Sequence, residues 1–177
     1  HTNRISCWIR HTRKELDEGR SAPHGFYIPT MGALAFYSYK KPGDRMNSDQ
    51  SYWLVGASWD GVDHQDKKFV DNKIWVLGYK EKDDESQYLK AKKIKKGDRI
   101  AIKRMMGKGS ANIKILHTGI VEGVVDYGSL VICVVNWLVL EKNIEVDSKG
   151  AFASIHGPYK QGKDKDTDAW LNKVFSL

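Results

Sequence analysis

From Tyr52 to Leu140 the chain is cut by turns into short apolar runs, and helical stretches do not alternate with those runs in any regular way. The cuts fall at Asp60-Gly61, Lys96-Gly97-Asp98, the Gly107–Ser110 tip and Asp126-Tyr127-Gly128. Asp-Gly and glycine-rich steps supply the positive φ that tight turns require. The absence of a regular strand–helix alternation argues for segregated strands and helices. The pattern predicts an α+β fold: about five or six strands in a small twisted mixed sheet closing into a partial β-barrel, flanked by two or three short helices.

The individual runs carry clear signatures. Tyr52–Ser58 reads as a half-buried strand in which Trp53, Val55 and Ala57 alternate with Leu54 and Gly56. Asp63 or His64 is placed to cap a short helix running to about Asn72, with Phe69 and Val70 as its apolar face. Ile74–Tyr79 is extended, and residues 81–96 start acidic and end basic, the charge order a helix dipole prefers. Arg99–Lys103 is a strand, Ile113–Val121 returns and is broken at Gly119, and Leu130–Leu140 is the most apolar strand. Residues 141–163 read as loop with one short strand at 152–155, before a final helix capped by Asp166 or Thr167. That helix presents Trp170, Leu171, Val174 and Phe175 along one face.

Residues 50–177 form the main domain in this reading. Residues 1–49 are an amino-terminal extension or the tail of an upstream module, with RISCWIR and ALAFYSY as strand candidates ahead of a polar, Pro42-Gly43 linker. The chain opens on His1 without an initiator methionine, which points to an excised piece of a longer protein. No 18-residue apolar run is present to span a membrane. Cys7 and Cys133 are too few and too far apart for a disulfide framework or a zinc site, and Cys133 lies in an apolar run as a buried thiol. A reducing, cytoplasmic setting is expected.

The net charge of +7 favours polyanionic partners. Between Lys90 and Lys108 nine basic residues face one acid, Asp98, a local excess of +8. Lys92, Lys93, Lys95, Lys96, Arg99, Lys103, Arg104 and Lys108 are therefore the candidates for phosphate contact. A solvated lysine-rich helix end would look the same. Gly107-Lys108-Gly109-Ser110 lacks the spacing of a phosphate-binding P-loop. None of the six histidines has metal-ligand spacing, and no nucleophile elbow, zincin or dinucleotide motif appears. The expectation is a chain with no catalytic residues, no metal and no cofactor.

The order SYWLVGASWD, FVDNKIWVLGY, KKGDRIAIK, ILHTGIVEGV and an apolar strand carrying Trp137 resembles the EVE/YTH group of the PUA-like superfamily over roughly residues 51–177. It looks most similar to the amino-terminal specificity domain of McrB-like modification-dependent restriction proteins, where such a domain precedes a GTP-hydrolysing AAA+ motor. The resemblance implies an aromatic cage for one flipped base. Ser58 and Trp75 match the family's strand-end serine and stacking tryptophan, and Asp63 falls where a polar residue reads the base edge. The facing wall is sought among Trp59, Tyr127 and Trp137, and the family's lysine before the serine is Ala57 here. Trp53 and Trp170 read as core.

The module implied by this resemblance is non-catalytic. It binds DNA carrying methylated or hydroxymethylated cytosine or methylated adenine, and it serves an AAA+ GTPase motor and a nuclease subunit. An RNA-binding PUA-like module and a protein-interaction domain without nucleic-acid ligand are the alternatives. The energetics allow base flipping. Extruding a base costs a few kcal/mol, stacking on an aromatic face returns about 1–3 kcal/mol, and a buried methyl adds about 0.8 kcal/mol.

Overall fold

The computed structural model describes residues 49–107, 109–126 and 130–176. The strand candidates before residue 49, Lys108 and Tyr127 lie outside the described residues. The fold is α+β. A seven-stranded mixed sheet has the order β4-β7-β6-β5-β1-β9, with β8 pairing β6 beside that path. Its strands are β1 (Tyr52–Gly56), β4 (Ile74–Val76), β5 (Arg99–Met105), β6 (Asn112–Asp126), β7 (Val131–Val139), β8 (Ile144–Asp147) and β9 (Ile155–Tyr159). The separate pair is β2 (Ser58–Trp59) with β3 (Asp63–His64). Three helices flank the sheet: α1 (Asp66–Asp71), α2 (Glu85–Ala91) and α3 (Lys165–Phe175). Among the described residues β4 and β9 end the sheet without pairing to each other, so the expected closure toward a barrel is not seen.

β1 lies between parallel β5 and antiparallel β9, and it is buried on both faces rather than half-buried because α1 and α2 pack on one face and α3 on the other. Alternation along it feeds two cores. Trp53 and Val55 join Ile100, Ile102, Phe69 of α1 and Tyr88 of α2. Tyr52 and Leu54 join Ala101 and Trp170, Leu171, Val174 and Phe175 of α3. Each large apolar side chain buried this way contributes about 1.5–3 kcal/mol. Trp53 and Trp170 are core residues, as their spacing predicts, and Cys133 is a buried free thiol whose pKa desolvation raises to about 12.

A parallel pair cannot be joined by a tight hairpin. The chain between β1 and β5 is therefore one long crossover, and it contains β2, β3, α1, β4 and α2. Buried Asp98 pins the start of this unit. Its carboxylate accepts from Trp53 Nε1 at 2.8 Å, from Ser51 N at 3.1 Å and from Lys95 N at 3.1 Å.

Several local expectations shift. β6 runs through Gly119 instead of breaking there. A Cβ at 119 would stand 2.6 Å from Asn136 O and 2.7 Å from Val135 Cγ1, so glycine admits the close approach of β7 at a bulge. Asp63 and His64 form β3 and do not cap α1, whose N-cap is Gln65. The last helix is capped earlier than expected, by Asp164, whose carboxylate accepts from Thr167 N at 2.7 Å. β8 was not expected, and the final strand lies at 155–159 rather than 152–155.

Candidate functional site

At the carboxyl end of β1 the crossover opens a cleft of about 270 Å³. One side comes from Gly56 and Ser154, which are joined by a Gly56 N–H to Ser154 O bond of 2.7 Å. A second side is the β2–β3 hairpin with Ser58, Trp59, Asp60 and Gly61. The third is the stretch from Trp75 to Tyr79. Asp60 and Gly61 both take positive φ, 52° and 75°, and Val62 N closes the turn on Trp59 O at 3.2 Å. Gln65 N donates to Ala57 O at 2.7 Å, tying the base of the hairpin to the end of β1.

Trp59 is the half-buried aromatic of this cleft. Its ring meets Phe69 edge-on at 6.2 Å, and Gly78 lies against its pyrrole side. A Cβ at 78 would come within 3.0 Å of Trp59 Cδ1 and Nε1. Tyr79, 41 % exposed, follows that glycine and completes the lining. Trp75 also lines the cleft, but it is only 1 % exposed, and its indole N–H donates to Gly56 O at 2.9 Å. Its ring belongs to the core.

Ser58 faces the cleft and is bonded to His64, Oγ to Nδ1, at 2.7 Å across the β2–β3 ladder. Asp63 is exposed on the same ladder opposite Trp59, outside the cleft lining. Trp137 lies elsewhere. Its indole donates to Phe69 O at 3.3 Å and meets His117 edge-on, so Phe69 stands between it and Trp59. The structure thus brings Ser58, Trp59 and Trp75 to one cleft and leaves Asp63 and Trp137 beside it. Tyr79 and His64 were missed by sequence reasoning. The aromatic after Gly78 was a usable signal for the first, whereas His64 reaches Ser58 only through the hairpin register.

The basic stretch does not form one surface. Lys93, Lys95 and Lys96 are exposed around the turn before β5. That turn lies at the amino end of β1, because Lys95 N and Ser51 N share Asp98. The cleft lies at the other end of the strand, four residue steps or about 13 Å away. Lys92 is paired with Asp126 at 3.1 Å, which raises its pKa. Arg104 is bonded to Asp66 at 2.7 Å. Arg99 turns inward, donates to Phe175 O at 2.9 Å and sets its guanidinium over the Phe175 ring, 5.8 Å from the centroid. Lys103 is 5 % exposed, and desolvation lowers its pKa to about 8.

Among the described residues no group of His, Cys, Asp and Glu side chains is arranged to hold a metal ion, and no helix is long and apolar enough to cross a membrane. Comparison with family models, with characterised proteins and with solved structures finds no match.

Proposed function

We propose that this domain binds nucleic acid by taking one base into the cleft between the β2–β3 hairpin and the Trp75–Tyr79 stretch. The observation that carries the reading is the pairing of a half-buried tryptophan, Trp59, with polar groups on Ser58 and Asp60 in one small cleft. Its volume of about 270 Å³ is just below the ~300–1,000 Å³ of pockets that take drug-sized ligands, a size for a single ring system. Trp59 and Tyr79 supply apolar faces, and Ser58 and Asp60 address the edge of the base. Lys93, Lys95 and Lys96 contact phosphates away from the base and carry no sequence information.

The resemblance to EVE/YTH domains extends the proposal. The sheet is a PUA-like fold of that type, the ligand is DNA carrying a methylated or hydroxymethylated base, and the domain is the specificity module of a modification-dependent restriction system with a GTPase motor and a nuclease. Binding should be measured for wild type, Trp59→Ala and Trp75→Ala against matched duplexes with and without one modified cytosine or adenine, and against matched RNA. Wild type should prefer a modified duplex. Trp59→Ala should lose about 1–3 kcal/mol, the worth of one stacked base. Equal affinity for every duplex would remove the modified-base function, and an RNA preference would move the ligand to RNA, where the 2′-hydroxyl and A-form shape distinguish the partner.

A further inference from the structure

We propose that the carboxyl ends of β1 and β5, with the start of β9, hold a phosphate group between Lys103, Ser154 and His156. The site goes beyond the base-binding reading and does not depend on it.

Lys103 is the residue that points to a ligand. It is 5 % exposed, and among the described residues its ammonium has no carboxylate and no hydrogen-bond acceptor. A lysine with three N–H donors is seldom buried without a partner. Burial lowers its pKa to about 8, so the group is still mainly cationic at pH 7. Among the described residues, the unpartnered polar atoms sealed from solvent are Arg99 Nε and Thr118 Oγ1, so the Lys103 ammonium keeps an opening to the surface. A charge held in this way is costly until an opposite charge reaches it.

The sheet register places the other groups. Lys103 stands directly opposite Gly56 in the parallel β1–β5 pair, and Leu54, two residues before Gly56, stands opposite His156 of β9. Opposed residues, and residues two apart along a strand, share one face of a sheet. Lys103 and His156 therefore lie on the same face with β1 between them. Gly56 puts no side chain in the gap, and its N–H donates to Ser154 O at 2.7 Å, which brings Ser154 alongside. Ser154 and His156 are both half-buried, so the gap is open to solvent. Burial holds the His156 pKa below its usual value, and the charges of Lys103 and of Lys90 on α2 lower it further. No acid counters them at that ring among the described residues. A phosphate brings negative charge to these basic groups and acceptor oxygens to the Lys103 ammonium and the Ser154 hydroxyl. Lys103 thus leaves the surface stripe and takes a separate site. Gly56 and Ser154 also line the cleft, so a nucleic-acid backbone and a free phosphate are both possible sources of the group.

The test titrates the whole chain with sulfate, whose charge is constant around neutral pH, and with inorganic phosphate, both at fixed ionic strength. Spectra of carbon-13 lysine and nitrogen-15 amides should show saturable shifts at Lys103, Ser154 and His156, and chloride should give none. Sulfate affinity should fall about tenfold from about pH 7 to about pH 9 as Lys103 loses its proton. Lys103→Met should weaken sulfate by at least about tenfold, the worth of one charge-assisted hydrogen bond. Ser154→Ala, at a half-buried position, should weaken it severalfold, and urea midpoints check that both variants fold. A Lys103 signal that ignores both anions, or sulfate affinity that survives Lys103→Met, overturns the site. An oligonucleotide that displaces phosphate from Lys103 assigns the site to a nucleic-acid backbone, and one that binds without disturbing it assigns the site to free phosphate or a phosphomonoester. Failure of every oligonucleotide to bind removes the base-binding reading and leaves this site standing.

Discussion

Replacing Asp98 by asparagine should cost this fold about 2–3 kcal/mol, the loss of one charge-assisted hydrogen bond in a buried site. The carboxylate is 1 % exposed and accepts from three donors: Ser51 N at Oδ1, and Trp53 Nε1 and Lys95 N at Oδ2. Asparagine keeps one acceptor oxygen and turns the other into an NH2. Its best placement directs the oxygen at Trp53 and Lys95 and sets the NH2 against Ser51 N–H. One hydrogen bond to a charged acceptor, worth about 1.5–3 kcal/mol, is lost, and a buried donor is left facing another donor. Asp98→Ala orphans all three donors and should cost about 4–6 kcal/mol, a large part of the 5–15 kcal/mol that holds a typical domain together. Urea denaturation gives the free energies, and the asparagine variant should melt roughly 5–10 °C lower. Amide exchange at Ser51 and Lys95 should accelerate more than exchange at the far end of β1. A cost below about 0.5 kcal/mol for Asp98→Asn, with exchange at Ser51 unchanged, would refute the account of this carboxylate as the clasp of the β1–β5 unit.

The same contacts set further expectations. Desolvation lowers Lys103 from 10.5 to about 8, so between those values the unfolded chain binds a proton that the native chain does not, and stability rises with pH there. Below about pH 8 the fold carries the full cost of the buried ammonium; Lys103→Met should be more stable at pH 7 by up to about 3 kcal/mol. Urea midpoints of that variant should also be flat across the window, and parallel curves for the two proteins would contradict this. Gly78→Ala places a methyl 3.0 Å from the Trp59 indole. It should cost about 1 kcal/mol of stability and lower base affinity severalfold by displacing the ring, whereas unchanged binding would take Trp59 out of the site. If Lys93, Lys95 and Lys96 each neutralise one phosphate, replacing all three by alanine should make the slope of log affinity against log salt shallower by about 2.7.

The strands with unbroken apolar runs were legible because β-branched and aromatic residues fill them, and Trp53 and Trp170 took the core places their periodicity assigns. β8 escaped notice because Ile144–Asp147 alternates with acids and looks like loop. The final helix was expected to be capped by Asp166 or Thr167 and is capped by Asp164, because linear sequence cannot say which backbone turns first. The two-sided burial of β1 depends on α3, contributed from the far end of the chain, so Tyr52–Gly56 looked half-buried when read alone. At the site, Ser58 and Trp59 could be read from the end of an apolar run and a following Asp-Gly turn. His64 could not, because it meets Ser58 only through a cross-strand register. The basic stretch misled for a similar reason: contiguous in sequence, it enters β5, where Arg99 and Lys103 turn into the fold and Arg104 is taken by Asp66.

β1 has no local partner at all. Its register is set on one side by Arg99–Lys103 and on the other by Ile155–Tyr159. Both pairings bring together residues far apart in sequence, and closing the loops they span costs chain entropy. The cleft hangs from the carboxyl end of this strand. A chain shortened before β9 would keep every residue of the cleft's hairpin yet turn Tyr52–Gly56 into a bare, apolar sheet edge, which invites other chains to pair with it. Ligand binding would then be lost to aggregation, and retained binding would certify that the whole sheet had assembled.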